Sequence, residues 1–289
     1  MSTTQLRSGL INSTAVRVRR PAKNVRWGLI LWLAVVAIVI AFPVYVTLAS
    51  SVLPTSDIAR GWIIPGPGHF TFDNFAQALR VVPFESQYVV SVMVTVLQAG
   101  MQLVTSALAA YALVFPSWRG KGVAFVLIVA TLAVPGESLI IPNYQLVTSL
   151  GLRDTILGIA VPFLAAGYPV FLLRQAFLTV PREVWEAAKL DGCGDLRTLA
   201  RVVLPMTRPQ VTTAAMWSAL AAWNGYFWPL LITDTPANRT IQVGIAQLVS
   251  SESTSPSVIA AGTVLVLIPT LILVIAGNRF LLRGLGSSR

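Results

Sequence analysis

Six long apolar runs limit what this chain can fold into. They cover about 27–49, 88–114, 123–141, 155–173, 212–232 and 258–277, and the only charged side chain inside any of them is Glu137. A helix rises about 1.5 Å per residue, so roughly 20 apolar residues cross the ~30 Å of hydrocarbon in a bilayer. Inside lipid every backbone N–H and C=O must be satisfied within the protein, which leaves helices or closed barrels. The runs are continuously apolar rather than alternating, so they predict helices. Composition agrees: 55% of the 289 residues are hydrophobic and only 11% are charged, against roughly a quarter charged in soluble domains. The expected fold class is an all-α integral membrane protein with six transmembrane helices.

The net charge of +10 invites a nucleic-acid reading, but the basic residues sit at the ends of apolar runs, where membrane topology places them. With the N-terminus inside, the inner segments hold 17 Lys and Arg and the outer segments hold four, Arg60, Arg80, Arg153 and Arg239. Both termini are therefore expected in the cytoplasm. The stretch 1–26, with Arg7, Arg17, Arg19, Arg20, Lys23 and Arg26, reads as a basic cytoplasmic arm ahead of a membrane domain at 27–289. It does not read as a cleavable signal, because the following apolar run exceeds the usual ~7–15 residues and lacks a small-residue cleavage site. A single cysteine, Cys193, and a single histidine, His69, exclude an internal disulfide and make a metal cluster untenable.

The only long inner loop is 178–209. Its first part, Pro181-Arg-Glu-Val-Trp-Glu-Ala-Ala-Lys-Leu-Asp-Gly192, reads as a short helix. Pro181 suits the first turn, Glu183 and Glu186 lie early and Lys189 late, matching the helix dipole, and Gly192 is a natural stop. Asp195 is expected to cap a second helix, with Leu196, Leu199, Val202 and Val203 on one face and Pro205 at its end. By these signals alone the loop is an amphipathic surface element with Ala187 and Ala188 as a small, approachable patch.

The stretch Glu186-Ala-Ala-Lys-Leu-Asp-Gly192-Cys-Gly-Asp-Leu-Arg-Thr-Leu199-Ala-Arg-Val-Val-Leu204-Pro205-Met-Thr-Arg-Pro209 resembles the EAA motif of bacterial ABC-importer permeases of the carbohydrate-uptake, maltose-permease-like class. Cys193 stands where Ala is usual, and Leu199 where Phe is frequent. Further stretches resemble the same family: 65–75 with Phe-Thr-Phe-Asp-Asn-Phe, Trp223-Asn-Gly-Tyr-Phe-Trp-Pro229, and the Gly-Leu at 284–285. Within that class Phe42-Pro-Val-Tyr45, 171–177 and 223–233 look most like glycerol-3-phosphate permeases.

The resemblance implies the six-helix type I permease fold in a bacterial inner membrane. The implied partners are a second homologous permease, a pair of ATPase subunits and an extracytoplasmic solute-binding protein. No phosphate-binding Gly-rich loop is present in the sequence, so ATP and Mg are expected on the ATPase partner, with no cofactor and no catalytic site in this chain. The implied ATPase-coupling set is Arg182, Glu183, Glu186, Ala187, Ala188, Asp191 and Gly192. Binding-protein contact is carried over to Asn238, Arg239 and Gln242 of the outer loop 233–257, whose alternative reading is an ordinary solvated loop.

An ionisable residue within a span is a functional candidate by default. Counted along straight helices, Glu137 lies roughly 21 Å from the inner edge and Asn224 roughly 18 Å. With Asn143, Tyr144, Trp223 and Tyr226 they form the expected substrate path, where amides and a carboxylate bond hydroxyls and rings stack on sugar faces. Two other roles stay open at this stage: Glu137 as the ion-pair partner of an Arg on another subunit, and the aromatics as packing or interface residues. The cargo classes compatible with the sequence are glycerol-3-phosphate or a glycerophosphodiester and, alternatively, a neutral oligosaccharide such as a disaccharide. From a different class, an ATPase-independent secondary transporter would need no EAA loop.

Overall fold

The computed structural model describes residues 23–250 and 254–286, with side chains placed over 27–250 and 254–275. Most of the basic arm expected at 1–26 lies outside the described residues. Among the described residues the secondary structure between turns and loops is helical, apart from one isolated bridge between Gly66 and His69. The chain divides into two compact units, 1–46 and 47–289. The first contains most of α1 (Lys23–Val52), which starts four residues before the expected boundary and whose most apolar window has no buried residue.

In the second unit α2 (Thr55–Ala59) and α3 (Asp73–Val81) occupy the segment between the first two apolar runs. There follow α4 (Phe84–Val114), α5 (Lys121–Ala130), α6 (Ile140–Ser149), α7 (Ile156–Ala160) and α8 (Gly167–Phe177). The loop helices are α9 (Arg182–Leu190), α10 (Asp195–Thr198) and α11 (Leu204–Met206). The chain ends with α12 (Arg208–Trp223), α13 (Phe227–Ile232), α14 (Ile241–Ser250) and α15 (Pro256–Gly286).

Among the described residues three helices are long and apolar enough to cross a membrane unaided: α1, α4 and α15. The other expected spans are not straight rods. The third breaks after Ala133, and its halves meet at 98°. Pro135 causes this: the residue before a proline is pushed out of the α region, and Val134 is extended at φ −83°, ψ 118°. The fourth bends by 49° at 164–166, where Ala166 is extended. The fifth stops at Asn224 and restarts at Phe227. Asn-Gly favours a turn, and the restart puts Pro229 in a first helical turn, where its missing N–H costs nothing. The depths expected from straight helices therefore do not apply to Glu137, which lies beyond the 98° corner.

Two loop expectations also change. The segment 233–257 is not all polar loop, since α14 buries Ile241, Val243 and Leu248 within it. Pro205 does not end its helix. A π turn at Leu199–Val203 precedes it, and the chain breaks only at Thr207. The wider π turn leaves room for the proline ring, which would otherwise strike the carbonyl four residues back.

Three buried clusters hold the second unit together, and α4 enters all of them. Ala107, Ala110, Tyr111 and Phe115 pack with Leu173, Phe177, Leu199, Val203 and Ala214 at one end. Phe84 joins Ala78, Trp223, Ile241, Leu248 and Val258 at the other. Val90 and Val94 join Val147, Ile159, Trp228 and Ile232 between the broken helices. The alanines where α4 meets α8 and α12 let backbones approach closely, the usual device where lipid supplies no hydrophobic drive.

Gly158 shows how tight the third cluster is. A Cβ there would sit 2.1 Å from the carbonyl oxygen of Leu152, which is backbone and cannot swing away. Gly158→Ala is expected to cost about 1–3 kcal/mol of stability, read as a lower thermal midpoint in detergent. Gly100→Ala, whose Cβ would meet nothing within 4 Å, is the control and should not lower the midpoint.

Candidate functional site

Two places carry the sequence candidates: a knob at 178–209 and a cavity among the broken helices. The knob forms where α9 ends in a left-handed turn. Gly192 has φ +78°, a conformation glycine adopts without strain. Its N–H donates to the Lys189 carbonyl and that of Cys193 to the Ala188 carbonyl, both at 3.0 Å. This is the paired Schellman arrangement that satisfies the last carbonyls of a helix. The α9 backbone begins at Arg182, with Pro181 extended at its N-cap.

Of the coupling candidates, Arg182, Glu183, Glu186, Ala187, Asp191 and Gly192 are exposed. Arg182 and Glu186 face each other one turn apart at 3.4 Å. Ala188 differs: it is buried against its own chain, so only Ala187 of the pair is open to a partner. Leu190 beside it is 89% exposed, and Leu196 is 70% exposed. These are the two most exposed of several apolar side chains on the knob, with Leu178, Val184 and Met206 less so.

A hydrogen-bonded chain not foreseen from the sequence anchors the knob. Trp185 Nε1 donates to Tyr111 Oη at 2.9 Å, and that hydroxyl donates to Asp195 Oδ1 at 2.9 Å. Lys189 Nζ meets the same carboxylate at 2.5 Å. The Trp185 ring stacks on Phe115 at 5.8 Å and 16°. Asp195 is thus not a helix cap. Gly194 holds that position, and the carboxylate ties α9 to the end of α4. The hydrogen bonds from Lys189 and Tyr111 hold its carboxyl below the ordinary range.

The cavity has a volume of about 650 Å³. Its walls include Gln98 and Gln102 of α4, Gly136 and Glu137 at the broken corner, Phe163, Trp217 and Ala221, and Gly225, Tyr226 and Trp228 around the α12–α13 break. The structure therefore brings Glu137 and Tyr226 together but not the other path candidates. Trp223 is buried in the cluster with Phe84 and Val258, its ring 6.1 Å from Tyr88. Asn224 caps its own helix, with Nδ2 donating to Leu220 O at 2.8 Å. Tyr144 packs on the third cluster, with Arg153 5.8 Å from its ring centre. Asn143 is half-buried one residue before it, on α6. The Trp228 indole donates to the Gly158 and Ile159 carbonyls, so this ring is both packing and cavity wall. Gln98 and Gln102 were missed because an averaged hydropathy hides two amides in a long apolar run. Their four-residue spacing was the available signal.

Of the outer-loop candidates, Asn238 is spent internally. Its amide donates to Asp154 O at 2.9 Å. Asp154, at φ 57°, accepts the backbone N–H groups of Asp234 and Thr235 at 3.0 and 3.1 Å. Burial pushes the Asp154 carboxyl up, but the bonds from Thr235 and these N–H groups outweigh it and hold it low. Gln242 reaches Asn224 at 3.4 Å, and Arg239 is half-buried with Nε unpaired.

Comparison with known proteins gives a consistent picture. The family model described as "Binding-protein-dependent transport system inner membrane component" matches residues 71–285. The sn-glycerol-3-phosphate transport system permease protein UgpE of Brucella suis biovar 1 is 31% identical, over 92% of this chain and 97% of its own. The arabinooligosaccharides transport system permease protein AraQ of Halalkalibacterium halodurans is 28% identical, with the same coverage. A bacterial ABC transporter involved in the import of the acidic polysaccharide alginate has a chain that superimposes with a TM-score of 0.80 at 23% identity, covering 89% of this chain and 98% of that one.

Tyr111→Phe would strand the Trp185 N–H and leave the Asp195 carboxylate with Lys189 alone. It is expected to speed hydrogen exchange of the α9 amides about tenfold, roughly the worth of one or two hydrogen bonds, without changing exchange in the middle of α4. The Asp195 contribution is fully present above the unfolded carboxylate pKa of about 3.9 and fades only as pH falls through its lower folded value. The anchor should therefore hold unchanged across the neutral range.

Proposed function

We propose a cargo class and a coupling mechanism for a chain that belongs to the binding-protein-dependent transport system inner membrane component family. It is the membrane-embedded permease subunit of an ABC-type importer. In our reading six spans cross the inner membrane with both termini in the cytoplasm, α5 with α6, α7 with α8 and α12 with α13 each forming one broken span. The 17-to-4 asymmetry of Lys and Arg supports this orientation. A second permease completes the membrane pair, two ATPase subunits bind below, and a solute-binding protein delivers cargo from outside to the 233–257 segment, with Arg239 and Gln242 as its contacts and Asn238 positioning it.

One observation carries the mechanism: α4 bears both the anchor of the knob and a wall of the cavity. Tyr111 and Phe115 hold α9, while Gln102 and Gln98 face the cavity, about 14 and 20 Å from Tyr111 along the same helix. ATP-driven closure of the ATPases would move the knob through Arg182, Glu183, Glu186 and Ala187. The rigid link would pass that movement to the cavity, which switches between inward- and outward-facing states.

The cargo is a sugar or glycerophosphate-type solute. The relatives named for sn-glycerol-3-phosphate support glycerol-3-phosphate or a glycerophosphodiester. A neutral oligosaccharide is the second reading. It is favoured by the arabinooligosaccharide relative and by Glu137 being the sole charged residue among those lining the cavity.

Glu186→Lys and Gly192→Pro are expected to abolish uptake into proteoliposomes and to uncouple ATP hydrolysis from the loaded binding protein. Uptake at the wild-type rate in Glu186→Lys complexes would remove the knob from the mechanism. Glu137→Gln should change the apparent KM for cargo several-fold, and an unchanged KM and rate would take Glu137 out of the path.

A further inference from the structure

Helix α4 carries six buried polar side chains, Gln87, Ser91, Thr95, Gln98, Gln102 and Ser106. Steps of three and four residues put them on one face. Their partners differ along the helix. Gln87 Nε2 donates to the Pro236 carbonyl at 3.0 Å, and Ser91 Oγ accepts the Ile241 N–H at 2.8 Å. That end holds the outer loop and α14, although Gln87 Oε1 has no partner, and neither do Thr95 Oγ1 and Ser106 Oγ further along. What sets Gln98 and Gln102 apart is that their amides lie on the cavity wall. Gln102 Nε2 donates to Phe163 O at 2.6 Å, but its Oε1 has no partner although fully buried. Gln98 is 8% exposed and bonds to nothing among the described residues. Both amides line the cavity.

An amide buried without partners costs free energy that a leucine of similar size would not. A native interior with two such groups side by side therefore calls for an explanation beyond packing. The Gln98 amide offers donors and an acceptor, and Gln102 keeps one N–H and its Oε1 unpaired, the pattern a hydroxyl group matches. Trp217, Tyr226 and Phe163 add ring faces for the C–H side of a polyol. None of the cavity-lining residues is Lys or Arg, and Glu137 is acidic, so an anionic phosphate finds no counter-charge there.

We propose that Gln98 and Gln102 are specificity residues that hydrogen-bond the hydroxyl groups of the cargo, and that this cavity takes its polyol or sugar part rather than any phosphate. The inference rests on the reading of this cavity as the cargo path.

The test uses the complete transporter in proteoliposomes, with sn-glycerol-3-phosphate, its deoxy analogue 3-hydroxypropyl phosphate, and arabinotriose as probes. Gln98→Leu and Gln102→Leu should each raise the apparent KM about 3- to 10-fold, the worth of one lost hydrogen bond. They should also erase the preference for glycerol-3-phosphate over its deoxy analogue, or reduce arabinotriose uptake, with complex yield and basal ATP hydrolysis unchanged. Gln98→Asn, which keeps the amide, should restore part of the loss. Ala221→Trp, which fills the cavity, should block uptake. Normal uptake in Ala221→Trp would overturn the cargo-path reading. Blocked uptake there, with wild-type KM and selectivity in both leucine variants, would overturn the glutamine inference alone. Transport of none of the probes by the wild-type complex would remove the cargo class and the inference together.

Discussion

The structure depends on one continuous helix that satisfies two opposed demands. α4 must present apolar surface to three separate clusters, and it must also keep a row of amides and hydroxyls away from lipid. Both are possible because the helical period sorts them onto different faces. Around this unbroken rod the neighbouring spans are free to be broken. Their backbones leave helical geometry only at the corners after Ala133, at 164–166 and at 224–226, and residues of all three corners line the cavity. Irregular backbone at such depth is tolerated where it faces a cavity or protein rather than lipid.

The knob is joined to that rod by interactions of different ranges. The Schellman turn at Gly192 is local and fixes the shape of α9. The bonds from Trp185 through Tyr111 to Asp195 span 74 and 84 residues of sequence and fix where α9 sits. The first shapes the helix and the second attaches it to α4. The charged exterior of α9 is thereby left free, since its own exposed ion pair, Arg182 with Glu186, is of a kind worth little to folding.

Legibility from sequence followed the same division. Local signals were readable: the apolar runs, the Gly192 stop and the Glu-Ala-Ala stretch all mark what the structure contains. Hydropathy sums are blind to direction, so a run that turns by 98° at Pro135 looks the same as a straight one. The Pro-Gly and Asn-Gly pairs were visible, yet their effect depends on what packs around them. Asp195 looked like a cap because capping is the commonest local use of Asp before a helix, and only the fold brings Tyr111 to it. Trp223 and Tyr226, three residues apart, parted ways for a similar reason: the break at Asn224 turns one into the core and the other towards the cavity.

Leu190 and Leu196 have a consequence for such a subunit in isolation. Leu190 is 89% and Leu196 70% exposed among the charged residues of the knob, and each would gain roughly 1.5–3 kcal/mol on being fully covered. With that face bare, two apolar side chains stand in water and favour self-association there, so the isolated subunit is expected to be less soluble than one whose knob is covered.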